Sequence, residues 1–286
     1  MVKFHENKTL SNLCTMGVGG LAKYYVEIST QSEMKEAILQ CTALRQRYFI
    51  LGKGSNCFFD DRGFDGVVIH NKIDFCTFSS ASQVKVGAGY SISLLGTQTA
   101  RQGLSGLEFA CGIPGSVGGA IYMNAGAHGH QTCDFLSSVD FLTEEGELLL
   151  LTQDQLQFGY RSSPFQKMAG VIVGATFTLT PDEGARKRQL DMISYRTRTQ
   201  PYRDKSAGCV FRNPPAASAG ALIEARGLKG LAIGGALVSP THANFIVNKG
   251  GASTQDVLNL VELIKTQIKD SHGLDLHMEV IHVPFC

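Results

Sequence analysis

The sequence predicts an α+β protein, and three observations carry that prediction. The opening reads strand, helix, strand. From residue 138 the pattern turns to antiparallel strands, and a charged stretch at 181–188 parts these from a C-terminal region with a long amphipathic helix. Lys23 to Ile28 reads as the first of these strands. In the helix that follows, Thr30 and Glu33 have the spacing of a capping box, while Met34, Ala37, Ile38, Cys41 and Leu44 recur at helical intervals and form one apolar stripe. Tyr48-Phe49-Ile50-Leu51 is a short apolar run and completes the β-α-β opening.

Gly66 to Ile69 and Gln83 to Gly87 read as further strands, and a helix is expected from Ser91 to Gln102 with Gly103 as its stop. Val139 to Leu142, a Glu-Glu-Gly turn and Glu147 to Leu151 predict a hairpin, with another strand over Val171 to Leu179. Pro181 to Arg188 interrupts the strand pattern and starts a solvated helix, so a domain boundary is expected there. Beyond it come a strand over Asn244 to Val247 and a helix signalled by Ser253 and Asp256, with Val257, Leu260, Val261, Ile264 and Ile268 on one side. Alternation along 274–280 predicts a strand that buries Leu274, Leu276, Met278 and Val280 and presents Asp275, His277 and Glu279 on its other face.

At 286 residues and 43% hydrophobic content, the chain has enough apolar material for two or three compact units. A formal charge of +1 leaves no general attraction for nucleic acid or an anionic membrane, so neither is expected as a partner. Cysteines at 14, 41, 57, 76, 111, 133, 209 and 286 form no C-x-x-C pair, which argues against a zinc knuckle, a redox motif or any metal site. The N-terminus has no apolar h-region and no run is long enough to cross a bilayer, so a reducing cytoplasm is the expected setting.

Two glycine-rich loops stand out. One is Gly112-Ile113-Pro114-Gly115-Ser116-Val117-Gly118-Gly119, running on to Asn124-Ala125-Gly126-Ala127; the other is Gly52-Lys53-Gly54-Ser55-Asn56, directly after a strand. Glycine lets a ligand touch main chain, and successive N–H groups pointing into one concavity can hold phosphate oxygens. The spacing is not the Gly-x-Gly-x-x-Gly of the common dinucleotide fold, so a nucleotide cofactor in another fold is expected.

Together with Gly159-Tyr160-Arg161-Ser162-Ser163-Pro164-Phe165, Gly208-Cys209-Val210-Phe211-Arg212-Asn213-Pro214, Gly227-Leu228-Lys229-Gly230 and Val238 to Phe245, these loops resemble the UDP-N-acetylenolpyruvoylglucosamine reductase (MurB) family. The first loops occur more widely in FAD-linked oxidases, whereas the segments around Arg161, Cys209 and Gly227 are more particular to the reductase. The resemblance covers the chain from about residue 12 onward, and the short stretch between Phe177 and Arg196 marks the shorter form of the family. It implies a two-lobed FAD-binding domain of the flavin-linked oxidase/MurB type followed by a smaller α/β substrate-binding domain, divided as 1–70, 71–182 and 183–286. It also implies non-covalent FAD, NADPH as reductant and a UDP-sugar enolpyruvyl ether as substrate; a monomer is expected rather than an oligomer.

By the same resemblance the flavin is held by Gly52, Lys53, Gly54, Ser55, Asn56, Gly112, Ile113, Pro114, Gly115, Ser116, Gly118, Gly119, Asn124 and Gly126, mostly through main chain. Arg161 is the expected cation for the substrate carboxylate, since a guanidinium stays charged and can grip a carboxylate with two parallel bonds. Glu279 is expected to hydrogen-bond the developing enolate, which requires it to be protonated. Cys209 stands where the family more often has serine; a thiol with an ordinary pKa of about 8.5 can serve as the proton donor. Asn213, Tyr160 and Lys205 are expected at the substrate, with Arg198 and Arg212 as further candidates for its diphosphate; His242 receives no role. Two other readings use the same loops. One is an FAD-linked oxidase of an alcohol or aldonolactone, which needs neither Arg161 nor Cys209, and the other is a nucleotide-binding protein without catalysis.

Overall fold

A computed structural model describes residues 2–215 and 217–286 and divides the chain into two compact units. One holds the segment ending at His5, Tyr24–Lys53 and Gly66–Arg196; the other holds Glu6–Lys23, Gly54–Asp65 and Thr197–Cys286.

In the first unit the capping box at Thr30 and Glu33 is present and starts helix α1, Gln31–Ala43. Met34, Ala37, Ile38 and Cys41 are fully buried against Val26, Ile28, Val67 and Ile69 of the adjacent strands. Leu44 departs from the expected stripe: the helix ends before it, and it is 58% exposed at the cap. Tyr48–Leu51 runs parallel to Phe64–Asn71, which lies between it and Leu21–Ile28 in the sheet order, so the β-α-β strands are not neighbours. A second, antiparallel sheet has the order Leu148–Thr152, Leu136–Thr143, Gly170–Thr178, Gln83–Gly87, Cys76–Phe78. Helix α2, Ile92–Arg101, is capped by Ser91 and stops before Gly103, whose φ of 71° suits glycine. Together with the short helix α3, Val117–Tyr122, it packs Ile92, Leu95, Val117 and Ile121 into the core of this sheet.

Helix α4, Ala185–Thr199, begins at the charged stretch, yet its first turns stay with the first unit. Arg188 explains this: its guanidinium reaches Glu108 Oε1 at 2.8 Å, Asp182 Oδ2 at 2.7 Å and Ser105 Oγ at 3.0 Å. The compact units therefore part at Arg196/Thr197, and residues 6–23 and 54–65 group with the C-terminal region, a division drawn by packing and not by the ligand-based spans 1–70, 71–182 and 183–286.

The second unit is built on an antiparallel sheet ordered Lys205–Cys209, Phe245–Asn248, Ala236–Val238, Ala232–Ile233. Helix α5, Ala219–Ala225, and helix α6, Thr254–His272, cover it, and α6 has the predicted Ser253/Asp256 capping box and a left-handed Gly273 at its end. Val257, Leu260, Val261, Ile264 and Ile268 are buried in a core that also holds Phe58, Phe211, Val238 and Ile246. The expected strand over 274–280 is reduced to a single bridge, Phe211 to Met278; regular pairing begins only at Ile281–Val283, parallel to Cys57–Phe59. The amides of Glu279 and Val280 both turn toward one carbonyl, that of Val210, so the ladder cannot advance there. The burial alternation survives in part, with Leu276 and Val280 buried and Asp275 and His277 exposed.

Truncating Ile264, which is 1% exposed, to alanine should lower the unfolding free energy by about 2–5 kcal/mol. Leu44→Ala should change it by less than about 0.5 kcal/mol, because that side chain already lies in solvent. Urea denaturation of the two variants measures the difference.

Candidate active site

In the first unit Gly52, at the start of one glycine-rich loop, touches Ser116 of the other. A Cβ built on Gly52 would lie 2.3 Å from Ser116 Oγ, so only glycine permits the approach. Ser116 is the buried N-cap of α3, and its hydroxyl accepts from Gly119 N at 3.3 Å. The two loops differ in what their amides do. Within residues 112–119, Gly112 N donates to Ser93 Oγ, Ile113 N to Ala110 O, Gly115 N to Ile113 O, Val117 N to Tyr90 O and Gly118 N to Ala88 O. Only Ser116 N is left over, and Pro114 has no N–H, so this loop shapes a surface and does not form the open row of donors its composition suggests. The amides of Gly52, Lys53, Gly54, Ser55 and Asn56 find no acceptor among the described residues. Five consecutive unpaired N–H groups beside a lysine suit an anionic diphosphate.

Arg161 occupies the second central position of a tight turn, closed by Gly159 N to Ser162 O at 3.0 Å and Ser162 N to Gly159 O at 3.1 Å. Its φ is +54°, its Nη2 donates to Gly126 O at 3.0 Å, and its guanidinium lies 5.0 Å from the centre of the Tyr160 ring. Gln166 Nε2 donates to Arg161 O at 3.2 Å, and Ser163 Oγ donates to Tyr122 O at 2.7 Å. Asn124, 0% exposed, joins the same turn, since its Nδ2 donates to Gly159 O and Gln131 Oε1, both at 2.9 Å, while its Oδ1 accepts from Cys133 N at 3.1 Å. Its carboxamide is thus fully engaged, and the residue serves by fixing Gly159 and the backbone before Gly126.

The second unit brings together Asn56, Cys209 and Glu279. Cys209 ends the strand Lys205–Cys209 after an irregularity at Gly208, whose φ is +81°. The next residue's carbonyl, Val210 O, accepts from Glu279 N at 2.8 Å, so the backbone of the carboxyl-bearing residue is tied to the residue after the thiol-bearing one. Asn56 holds the other side: its Nδ2 donates to Glu279 O at 3.3 Å, and its carbonyl accepts from Ile281 N at 2.9 Å. Asn244, which the sequence reading missed, fixes the segment after the thiol, with Oδ1 accepting from Phe211 N at 2.9 Å and Nδ2 donating to Phe211 O at 2.8 Å. It lies in the segment Val238 to Phe245 that carries the resemblance, but nothing local gives it this role, because its partner is 33 residues away.

Asn213 is exposed, with its Oδ1 accepting from Ala219 N at the start of α5, and Arg212 has a buried Nε that meets no acceptor among the described residues. Lys205 is exposed at the other end of the Cys209 strand, opposite Asn248. His242 bonds within its own loop, its Nδ1 accepting from Asn244 N at 3.2 Å with its ring against Phe245. Arg161 and Tyr160 belong to the first unit, and Lys205, Cys209, Asn213 and Glu279 to the second.

Residues 22–152 match the family model described as FAD binding domain, which places the protein among FAD-binding flavoproteins and accords with the unpaired amides at 52–56. Residues 200–283 match the model described as the UDP-N-acetylenolpyruvoylglucosamine reductase C-terminal domain. The chain is 55% identical to the UDP-N-acetylenolpyruvoylglucosamine reductase of Protochlamydia amoebophila, over 99% of this chain and 95% of that one. With the enzyme of that name from Chlamydia trachomatis it shares 48% identity over 98% and 96% of the two chains. The crystal structure of UDP-N-acetylenolpyruvylglucosamine reductase (MurB) from Thermus caldophilus superposes with a TM-score of 0.84 at 37% identity, covering 99% of this chain and 100% of that one. The chain belongs to the UDP-N-acetylenolpyruvoylglucosamine reductase family.

His242 and His282 are both held below the ordinary histidine pKa, chiefly by burial, with Lys229 adding to the effect at His242 and Arg62 at His282. The folded state therefore favours neutral imidazoles, whereas the unfolded chain takes up their protons near pH 6.5. These groups leave stability unchanged above that value and reduce it as pH falls toward their lowered native pKa values. The carboxyl of Asp60, held at about 2 chiefly by its bond to Arg62, loses its contribution only below 3.8. The midpoint of thermal unfolding should thus fall between about pH 7 and pH 5, and His242→Gln should flatten that slope; scanning fluorimetry across the range measures both.

Proposed function

We propose that this protein catalyses the NADPH-dependent, FAD-mediated reduction of the enolpyruvyl ether of a UDP-N-acetylglucosamine to the corresponding UDP-N-acetylmuramate, a step in peptidoglycan precursor synthesis. The observation that carries the reading is the bond from Glu279 N to Val210 O, which ties the carboxyl-bearing segment to the residue after Cys209 within the C-terminal segment that matches the reductase domain. FAD, when bound, supplies the hydride chemistry that links oxidation of NADPH to reduction of the alkene at its terminal carbon. The unpaired amides of Gly52 to Asn56, with Lys53, are suited to its diphosphate, and residues 112–119 to close packing against it.

The protein's own task is to polarise the alkene and supply a proton. Negative charge builds on the substrate carboxylate as the double bond is reduced, and donors aimed there beforehand lower the barrier. Arg161 is suited to that position because Gly126 O and the Tyr160 ring hold its guanidinium in one orientation. Glu279, in its protonated form, donates a hydrogen bond to the enolate oxygen, and its backbone is fixed on both sides by Val210 O and Asn56. Cys209 Sγ gives its proton to the carbon beside the carboxylate, and the thiolate left behind regains a proton from solvent. Asn213, Tyr160 and Lys205 bind the substrate, with Arg198 and Arg212 as further partners for its diphosphate. In this scheme residues 1–70 and 71–182 form the FAD-binding lobes and 183–286 the substrate domain.

Among the described residues no helix is long and apolar enough to cross a membrane, and no group of three or more His, Cys, Asp or Glu could hold a metal ion. The reading adds a cytoplasmic setting, supported by free thiols at all eight cysteines, and a monomeric enzyme.

The purified protein should be yellow, lose its flavin on acidification, bleach anaerobically with NADPH and recolour with the enolpyruvyl UDP-sugar. A colourless protein with no affinity for FAD would refute the proposal. Cys209→Ser should retain substantial turnover, whereas Cys209→Ala should still bleach with NADPH but recolour at least about 100-fold more slowly, the usual contribution of a positioned proton donor. Stopped-flow absorbance separates the two half-reactions, and unimpaired recolouring in the alanine variant would remove Cys209 from the mechanism.

A further inference from the structure

Cys14 and Cys57 are 43 positions apart in sequence, yet their sulfur atoms lie 3.9 Å from each other in the second unit. Both are nearly buried, at 7% and 6% exposure. The approach is made by backbone. A Cβ on Gly54 would fall 2.0 Å from Leu13 O, and Thr15 N donates to Gly54 O at 2.9 Å, so residues 13–15 lie directly on the loop that leads into Cys57. Cys57 is also joined to the carboxyl-bearing segment: it pairs with Ile281, and the preceding Asn56 bonds Glu279 O and Ile281 N.

We propose that Cys14 and Cys57 are a site of reversible oxidation, closing to a disulfide in the presence of a hydroperoxide and thereby lowering turnover through displacement of Asn56. The chemistry balances with hydrogen peroxide as oxidant. The thiolate sulfur of Cys14 attacks one peroxide oxygen; the S–O bond forms, the O–O bond breaks, and the departing hydroxide takes up the proton from Cys14 to become water. The sulfur of Cys57 then attacks the sulfenic sulfur; the S–S bond forms, the S–O bond breaks, and the released hydroxide leaves as water with the proton from Cys57. Two thiols and one peroxide become one disulfide and two waters, each sulfur giving one electron. The hydrogen bond to Cys14 and burial raise the Cys57 pKa well above the ordinary thiol range and keep it protonated, so the first attack on peroxide falls to Cys14.

Closing the bond must shorten the sulfur separation from 3.9 Å to about 2.0 Å, and the chain that moves carries Asn56 or its neighbours at Gly54. A displacement of about 1 Å in a positioned group costs on the order of 100-fold in rate, so a loss of about tenfold or more in kcat is expected. The effect on turnover rests on the reductase reading above, whereas formation of the bond does not.

The test uses the full chain with FAD bound. After treatment with hydrogen peroxide and alkylation of the remaining thiols by iodoacetamide under denaturing conditions, peptide mass spectrometry should find residues 14 and 57 in one cross-linked peptide. NADPH oxidation with substrate should fall about tenfold or more and return with dithiothreitol. Cys14→Ala should keep its basal turnover, form no such peptide and lose the dithiothreitol-reversible part of the inhibition. Alkylated Cys14 and Cys57 in the treated native chain would overturn the proposal whether or not the variant folds. So would an unchanged reversible loss in Cys14→Ala, which would assign the inhibition to another thiol such as Cys209. A protein that forms the cross-link but never oxidises NADPH would refute the reductase reading while leaving the oxidation site standing.

Discussion

The carbonyl of Val210 is the point from which the C-terminal part of the site is built. It accepts the amide of Glu279 at 2.8 Å, and that one bond ties the backbone of Glu279 to the residue after Cys209. Such a bond holds a geometry only if its acceptor cannot drift. Asn244 prevents drift by bonding both the N–H and the C=O of the next residue, Phe211, whose ring is buried in the core under α6. On the far side Asn56 holds the carbonyl of Glu279 itself. A buried amide or carbonyl left without a partner costs about 1–3 kcal/mol. Removing Asn244 would therefore leave two unsatisfied groups one residue from Val210, and the price would appear as lost precision at Glu279 as well as lost stability.

The same accounting separates the two glycine-rich loops. Within residues 112–119 the amides of Gly112, Val117 and Gly118 bond the connection at 88–93 and those of Ile113, Gly115 and Gly119 bond nearby loop atoms, and glycine is needed there for contact: a Cβ on Gly118 would lie 3.0 Å from Ala88 Cβ. Residues 52–56 leave theirs unpaired. An anionic ligand bonded to such a row would repair a deficit already present in the fold. The FAD-domain match over 22–152 includes both loops, and their amides show that the two play different parts.

Elements whose signals are local were legible from the sequence. The capping boxes at Thr30 and Ser253, the serine cap of α2 and the apolar stripe of α6 each depend on residues within a few positions of one another. What was not legible depends on distant partners. Leu44 fits the helical period but falls just beyond the helix end; the 274–280 segment alternates like a strand but spends its amides on a single carbonyl. The charged run at 181–188 suggests a boundary, yet Arg188 ties it back to Glu108 across 80 positions. Asn244 and the Cys14–Cys57 contact belong to the same class. The roles of Arg161, Cys209 and Glu279 came from likeness to a family, since composition and spacing alone read each of them as an ordinary surface or core residue.

Arg161 shows why the turn that carries it is more than a connection. The second central position of a tight turn with positive φ is ordinarily filled by glycine or asparagine, because a side chain there crowds its own backbone. Holding an arginine at φ +54° costs about 1–3 kcal/mol relative to a residue suited to the position. The surroundings over-determine it: Gln166 bonds its carbonyl, Gly126 accepts from its guanidinium, and Asn124 pins Gly159 at the start of the turn. Asn124 itself sits at φ +42°, and His128, two residues past Gly126, at φ +54°. Strained backbone gathered around one cation, with Asn124 bonded to the turn that carries Arg161, is an arrangement that stability alone would not select. It is intelligible if the guanidinium must point in one direction before a carboxylate arrives, because an arginine on a relaxed turn would have to give up its rotational freedom during the reaction itself.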